Sequence, residues 1–363
     1  MTEPLLSPLH ERHVALGARF AEFAGWSMPL QYAGVVAEHK AVRTGVGIFD
    51  VSHLGNARVS GPGARAFVNA CLTNDLGRIA PGQAQYTLCC DEAGGVVDDL
   101  IAYLVSDDEV MLIPNAANTA EVVRRLAEAA PAGVIVANEH TDYAIVAVQG
   151  PSSDAVLGAL GIAADFDYMQ FRPAVLDGRA LTVCRTGYTG ERGYELVCRA
   201  EDAPAVWDAV MAAGQAHGIA PCGLGARDTL RTEMGYALHG HELSLDIDPV
   251  TAGVGWAVGW DKPSFWGADA LRALRAQGTP LRSRAIKAAD RAIPRPGMEC
   301  VDDAGAVIGR VTSGTFSPTL EAGIGLALLP PDYTPGGTVG VRVRRSVETF
   351  SVEKAPLVTG SVR

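Results

Sequence analysis

Strand-like and helix-like patterns alternate along the chain without the regular rhythm of a parallel sheet wrapped by helices. Gln83–Cys90 and Val96–Leu104 read as strands, and Asp91-Glu-Ala-Gly-Gly95 between them reads as a hairpin turn. Glu109–Ile113 is a further strand. Asn118, with Glu121 three residues on, predicts a helix start, and Val122, Val123, Leu126 and Ala129 continue it. Strands over Val134–Asn138 and Tyr143–Gln149 follow, then a helix over Asp154–Leu160 opened by Gly150-Pro-Ser-Ser153. Residues 52–140 thus hold the content of a compact α+β unit.

Asp202 and Pro204 open another helix, with Val206, Trp207, Val210 and Met211 as its apolar positions and a stop near Gly218. Helices are also predicted over Gly225–Met234 and Ser264–Gln277. From about residue 281 the pattern changes. Arg284–Ala288, Ala306–Thr312, Ile324–Leu329 and Thr338–Arg344 are short β-rich runs separated by Gly, Pro and Asp, which predicts a small all-β domain, closed or sandwiched. The stretch Gly278-Thr-Pro-Leu-Arg282 before it suits a linker.

Composition narrows the classes. The chain has 363 residues, enough for two or three domains of roughly 100–200 residues each, and at 48% apolar it is too rich in core formers to be disordered. No uncharged apolar run approaches the roughly 18 residues that span a bilayer. The start, Met1-Thr-Glu-Pro, lacks the basic and apolar regions of a signal peptide, so a cytoplasmic protein is expected. Seven cysteines are scattered with no C-x-x-C pair, and no His-Glu-x-x-His is present, so neither a disulfide framework nor a metal site is expected. The formal charge of −11 hides an asymmetry: 11 Lys/Arg against 8 Asp/Glu from residue 281 on, but 19 against 33 before it. The acidic body argues against nucleic acid. The basic end is either ordinary surface variation or a local attraction for an acidic partner or small anion.

Three segments carry candidate chemistry. Asp98 and Asp99 stand inside the apolar run Val96–Tyr103, where a buried, unpaired carboxylate is costly. Alternation puts them on opposite faces, Asp98 with Leu100, Ala102 and Leu104, and Asp99 with Val97, Ile101 and Tyr103, so at most one can occupy a given cavity. The alternative is a strand start where acids bind backbone amides after a turn. The second segment, Arg185-Thr-Gly-Tyr-Thr-Gly-Glu-Arg-Gly-Tyr-Glu195, has glycines that suit a hairpin whose backbone approaches a ligand. Glu195 in it is either on the wet face of a half-exposed strand or a two-oxygen acceptor for the N–H edge of a heterocycle. In Gly223-Leu-Gly-Ala-Arg227-Asp228-Thr-Leu-Arg231, the two arginines share one helix face, either solvated or clamping a carboxylate. It is neither a P-loop nor a dinucleotide fingerprint.

Taken together, Phe23–Leu30, Gly47–Gly55, Gly94–Leu100, Arg185–Gly190, Gly223–Asp228 and Thr312–Leu320 are very similar to motifs of the T-protein family of the glycine cleavage system, nearly end to end. The resemblance implies an α+β protein of three domains in a cloverleaf around a central cavity. These are a discontinuous folate-binding domain (1–51 with 141–278), an α+β domain with the central acid (52–140) and a C-terminal β-barrel (281–363). It implies a tetrahydrofolate-dependent aminomethyltransferase that takes a methylene from the aminomethyl-lipoyl arm of H-protein, releases ammonia and forms 5,10-methylenetetrahydrofolate. It involves no metal, flavin, nicotinamide, nucleic acid or membrane. The family's central carboxylate matches Asp99, and its pterin-binding acid matches Glu195. Arg227 matches a folate-binding arginine, Tyr188 would pack on the pterin, Tyr86, Tyr103 and Asn115 would line the cavity, and Arg363 is a candidate for folate's anionic tail. Leu54 stands where the family has Met, a swap of similar volume expected to repack. His53 is expected to be a packed, hydrogen-bonded histidine and not a general base. Rival readings are a folate-dependent S- or O-demethylase and a non-enzymatic folate-binding scaffold. The scaffold group's Lys-Gly-Cys-Tyr segment is here Arg185-Thr-Gly-Tyr188.

Overall fold

The apolar strands find their partners in four layers. The computed structural model describes residues 3–362, and these form three sheets and a closed barrel. Near the N-terminus, Leu5–Leu6, Trp26–Gln31 and Arg19–Phe23 make a three-stranded sheet in that order. A six-stranded sheet runs Phe171–Leu176, Arg179–Cys184, Gly193–Arg199, Tyr143–Gln149, Gly47–Asp50 and Ala220–Cys222. A five-stranded sheet runs Gln83–Cys90, Val96–Ser106, Glu109–Ile113, Ala57–Ser60 and Ile135–Asn138. The barrel closes through Arg282–Ala288, Ala322–Leu329, Val307–Ser317, Glu299–Val301, Thr338–Val343 and Ser346–Glu353. The fold is α+β with a C-terminal six-stranded barrel.

Each layer covers apolar side chains that water would otherwise meet. Val146, Leu196 and Trp207 lie in the core under the six-stranded sheet, and helix Ala203–Gly214 supplies the tryptophan. Val59, Leu104 and Leu126 fill the five-stranded unit. Between the two sheets lies a shared core in which Phe49, Val197 and Leu230 meet Tyr103, Met111 and Ile113. This seam brings the strand of Asp99 against the sheet of Glu195.

Helix Leu224–Met234 joins this seam to the barrel. Arg231, 2% exposed, donates from Nη2 to Ser313 Oγ (2.9 Å) and Asp228 Oδ1 (2.6 Å), and from Nη1 to Glu242 Oε2 (3.1 Å). Glu233, fully buried, accepts from Arg43 (2.8 Å), His39 (3.3 Å), the Thr319 hydroxyl (3.0 Å) and the Ser317 hydroxyl. The Thr312–Leu320 motif is therefore a seam between units. Neither reading of the arginine pair holds: Arg231 is not solvated and, committed to protein partners, clamps nothing with Arg227.

Other expectations change at their edges. Asn118 does not cap the helix Thr119–Ala129, because its amide reaches Asp98 instead, and Glu121 pairs with Arg124 and Arg125. The Ser264–Gln277 helix starts at Ala268, after Gly267 takes a left-handed φ of 79°. Among the described residues no helix is long and apolar enough to cross a membrane.

Candidate functional site

Pleating separates the two acids. Leu100, Ala102 and Leu104, on the Asp98 side, pack into the core of the five-stranded unit, while Ile101 and Tyr103, on the Asp99 side, face the seam. Val97 breaks the pattern and packs in the five-stranded core, near the register shift between Cys89 and Cys90. Asp98 is fully buried. Its Oδ2 accepts from the Asn115 backbone N–H (2.9 Å), and its Oδ1 accepts from Asn115 Nδ2 (3.0 Å) and Asn118 Nδ2 (2.7 Å). Asp99, partly exposed, accepts from the Tyr86 hydroxyl at Oδ2 (3.0 Å) and from Asn115 Nδ2 at Oδ1 (2.9 Å).

Burial raises Asp99 above the ordinary carboxylate range, and the Tyr86 hydroxyl, His239 and Asn115 pull the other way. Burial and the charge of Asp99 likewise hold the Tyr86 phenol well above its usual value, so Tyr86 remains a donor. Its ring stacks on Trp256 (centroids 5.3 Å apart), which is 64% exposed. The segment bearing Trp256 is moored to residues 72–74: Gly259 N–H to Thr73 O (2.8 Å), the Thr73 hydroxyl to Ala257 O (2.8 Å), and Lys262 Nζ to Leu72 O (2.6 Å) and Asn74 O (2.9 Å). The sequence signal for this contact is a tryptophan in the glycine-rich segment Gly253–Trp260, which periodicity alone does not single out.

Glu195 sits on the interior strand Gly193–Arg199, paired to Ala147 on one side and Cys184 on the other. At 8% exposed it is not on a wet face. The Thr186 hydroxyl donates to its Oε2 (2.5 Å), and Oε1 has no hydrogen bond among the described residues. Tyr103, fully buried, stands behind this pair with its hydroxyl 3.3 Å from Thr186 Oγ1. Arg227, partly exposed at the other side of the seam, lies over the Tyr188 ring (4.7 Å) and makes no ion pair or hydrogen bond among the described residues. Burial works against its charge, and Glu195 and Tyr188 work for it. Tyr188 donates to Ala237 O and lies within the electrostatic reach of Asp99 and Arg227.

The glycine-rich loop approaches protein and not an open ligand site. A Cβ at Gly187 would stand 2.1 Å from Gln149 Oε1, and one at Gly190 (φ 82°) would stand 2.3 Å from the Met234 sulfur. Gln149 holds the loop by donating to Thr186 O (3.1 Å) and accepting from the Thr189 hydroxyl (2.7 Å). Arg185 donates to Val362 O (3.0 and 3.1 Å), so the end of the described chain lies along this loop; Arg363 falls outside the described residues. Two clefts, of about 290 Å³ beside Gln83 and Arg172 and about 360 Å³ beside Arg124 and Trp266, lie away from Asp99, Glu195 and Arg227. The candidate residues thus gather at the seam, Asp99, Tyr86, Asn115, Tyr188 and Arg227 partly exposed and Glu195 and Tyr103 buried behind them.

His53 is packed, against Phe23, but its Nδ1 is buried without a hydrogen bond among the described residues. Burial, then the Arg227 charge, lowers it to about 3, which leaves it neutral and a poor base at neutral pH. The cysteines are all buried, and burial pushes Cys71, Cys89, Cys198 and Cys300 up to about 12, far from nucleophilic thiolates. Among the described residues no three His, Cys, Asp or Glu side chains gather as a metal site would need.

A part-exposed carboxylate held by a phenol and an amide thus shares a seam with an acid oxygen and a guanidinium that make no hydrogen bond among the described residues, on an α+β scaffold. The family model "GCVT N-terminal domain" matches residues 9–262, and "Glycine cleavage T-protein C-terminal barrel domain" matches 282–358. The chain is 61% identical to the aminomethyltransferase of Parafrankia sp. (strain EAN1pec), covering 100% of both chains. It is 58% identical to that of Mycobacterium tuberculosis (strain ATCC 25618 / H37Rv) over 99% of both. The crystal structure of glycine cleavage system aminomethyltransferase T from Bartonella henselae superposes with a TM-score of 0.92 at 32% identity, covering 98% of each chain. The chain belongs to the glycine cleavage T-protein family, and its activity is that of an aminomethyltransferase of the glycine cleavage system.

Proposed function

We propose that the site at the seam binds tetrahydrofolate and accepts a methylene from an aminomethyl-lipoyl arm carried by H-protein. In the reaction the carbon–sulfur bond breaks to leave the arm's thiol, the carbon–nitrogen bond breaks to leave ammonia, and N5 and N10 of the folate each bond the carbon as 5,10-methylenetetrahydrofolate, their two protons ending on the thiol and the ammonia. The observation that carries this reading is a pair of uncommitted groups at the seam: among the described residues Glu195 Oε1 makes no hydrogen bond, and the Arg227 guanidinium makes no hydrogen bond or ion pair, only its contact with the Tyr188 ring. Asp99 stabilises positive charge as the carbon–sulfur bond breaks and orients the folate N5/N10 edge, the kind of preorganised charge that lowers a barrier most. Glu195 accepts from the pterin N–H edge, and Tyr188, over whose ring Arg227 lies, packs on the pterin. Tyr86 and Asn115 hold Asp99, and Tyr103 backs Thr186 and Glu195. Arg363 is proposed only for the anionic tail. The chain divides as 1–51 with 141–278, 52–140 and 281–363; a separate sheet and core in each part supports that division.

The test mixes the protein with aminomethyl-loaded H-protein and tetrahydrofolate and measures ammonia; no ammonia above the protein-free control sinks the reading. Glu195→Ala is expected to weaken tetrahydrofolate binding about tenfold to a hundredfold, the value of a charge-assisted hydrogen bond, with kcat less affected. Titration giving wild-type affinity removes the pterin assignment. Turnover is also expected to fall in acid at a pH above the ordinary aspartate value of about 4, because burial raises Asp99 and only its ionised form carries the charge. A pH–rate profile flat down to about pH 4 contradicts this.

A further inference from the structure

We propose that Asp98 is a positioning residue for Asp99, acting through the carboxamide of Asn115. The inference rests on the reading that Asp99 is the working carboxylate.

The Asn115 Nδ2 lies within hydrogen-bond distance of three oxygens at once: Asp98 Oδ1 (3.0 Å), Asp99 Oδ1 (2.9 Å) and the Asp99 carbonyl (2.8 Å). An asparagine carboxamide has one donor end and one acceptor end of nearly equal size, so its surroundings must choose which end faces inward. The Asp99 carbonyl only accepts, and in the flipped orientation the Asn115 oxygen would confront that carbonyl and an oxygen of each acid. Asp98, whose two oxygens take three N–H donors, adds an acceptor to this set and grips both the carboxamide and the backbone N–H of Asn115. The donor end is fixed toward Asp99, and with it the direction of the Asp99 carboxylate, whose second oxygen the Tyr86 hydroxyl holds.

Asp98 is in turn held on every side. Its Oδ2 takes the Asn115 backbone N–H, and its Oδ1 takes Asn118 Nδ2 (2.7 Å), from the residue just before helix Thr119–Ala129. Asn118 gives up the capping role its type favours in order to do this. Asp98 touches nothing that could be substrate, being fully buried on the opposite face of the strand from Asp99. A line of three polar residues thus runs from the start of a helix, through the sheet, to the reacting side.

The test is a double-mutant cycle in the H-protein-dependent assay, with Asp98→Asn, Asn115→Ala and both together, and with Asp99→Asn and Asn118→Ala alongside. Asp98→Asn removes one of the acceptor oxygens that grip Asn115 and Asn118 and so loosens the carboxamide that holds Asp99. It is expected to lower kcat about tenfold or more, in line with the cost of small misplacements of reacting groups, while KM for tetrahydrofolate stays within about twofold. The double variant is expected to lose no more kcat than Asn115→Ala alone, since the two act in series. Fully additive losses, or an Asp98→Asn variant that only melts at lower temperature with wild-type kcat, overturn the proposal while leaving the reading of Asp99 intact. An Asp99→Asn variant with wild-type turnover instead overturns that reading and the proposal with it. Should Asp98→Asn not fold, Asn118→Ala decides: a lowered kcat at unchanged melting temperature supports the positioning line, and an unchanged kcat overturns it.

Discussion

Replacing Asp99 with asparagine is expected to leave a folded protein that binds tetrahydrofolate and to reduce methylene transfer about 10²–10³-fold, the usual cost of removing one preorganised electrostatic group. The fold should survive because the change is isosteric and removes a charge that burial already disfavours, as the upward shift of Asp99 shows. With its oxygen toward Asn115 Nδ2, the new amide turns its NH2 to the Tyr86 phenol oxygen, so the bond to Tyr86 reverses direction and both contacts persist. Ammonia release at saturating substrates, set beside a tetrahydrofolate titration and a thermal melt, separates these effects. Turnover within a few-fold of wild type would remove Asp99 from the chemistry.

Glu233→Ala is the second large effect, and it falls on stability. The carboxylate is fully buried, and Arg43, His39, Ser317 and Thr319 all converge on it from other elements. Deleting one partner of a buried ion pair costs about 3–5 kcal/mol, because Arg43 then keeps only part of its compensation, from Glu191. Burial would raise Glu233, but His39, Ser317 and Arg43 overcome it and hold it at about 2. The sign follows: a depressed acid stabilises the fold above its unfolded pKa of about 4.3, and that contribution, about 3 kcal/mol, drains away as pH falls from there toward 2. Denaturant melts between pH 6 and 3 should show the wild type losing stability over this window and Glu233→Ala losing less. Because Arg227 lies on the same helix, Leu224–Met234, the variant should also bind tetrahydrofolate more weakly. An unchanged denaturation midpoint at neutral pH removes the lock.

Much of this was legible in the chain. The hairpin around Asp91–Gly95 and the β character beyond residue 281 follow from turn chemistry and short apolar runs, which are local signals. The alternation of Asp98 and Asp99 followed from pleating alone, and failed only at Val97, where a register shift intervenes. What stayed hidden depends on distant partners. Asn118 carries every mark of a helix cap, yet a buried acid twenty residues back outbids the helix for its amide. Arg227 and Arg231 are equivalent by spacing; only the barrel's Ser313 and the buried Glu242 show that one is committed and the other is not. The loop glycines signal close approach, but the sequence does not say that Gln149 is what approaches. The strands Phe171–Leu176 and Arg179–Cys184 are short and lack a clean alternation of polar and apolar residues, so their pairing is decided by the sheet they join.

The seven buried thiols are distributed in a way that makes the molecule its own reporter of opening. Cys198 lies under the six-stranded sheet, Cys71 and Cys89 in the five-stranded unit, Cys184 and Cys222 in the seam, Cys90 beside the Trp256 segment and Cys300 in the barrel. An alkylating reagent added in pulses during slow denaturation, followed by peptide mapping, would therefore time-stamp each packed region separately. If Glu233 is the clasp between barrel and body, its loss should bring Cys300 into the early-labelled set while Cys198 keeps its place in the sequence of events.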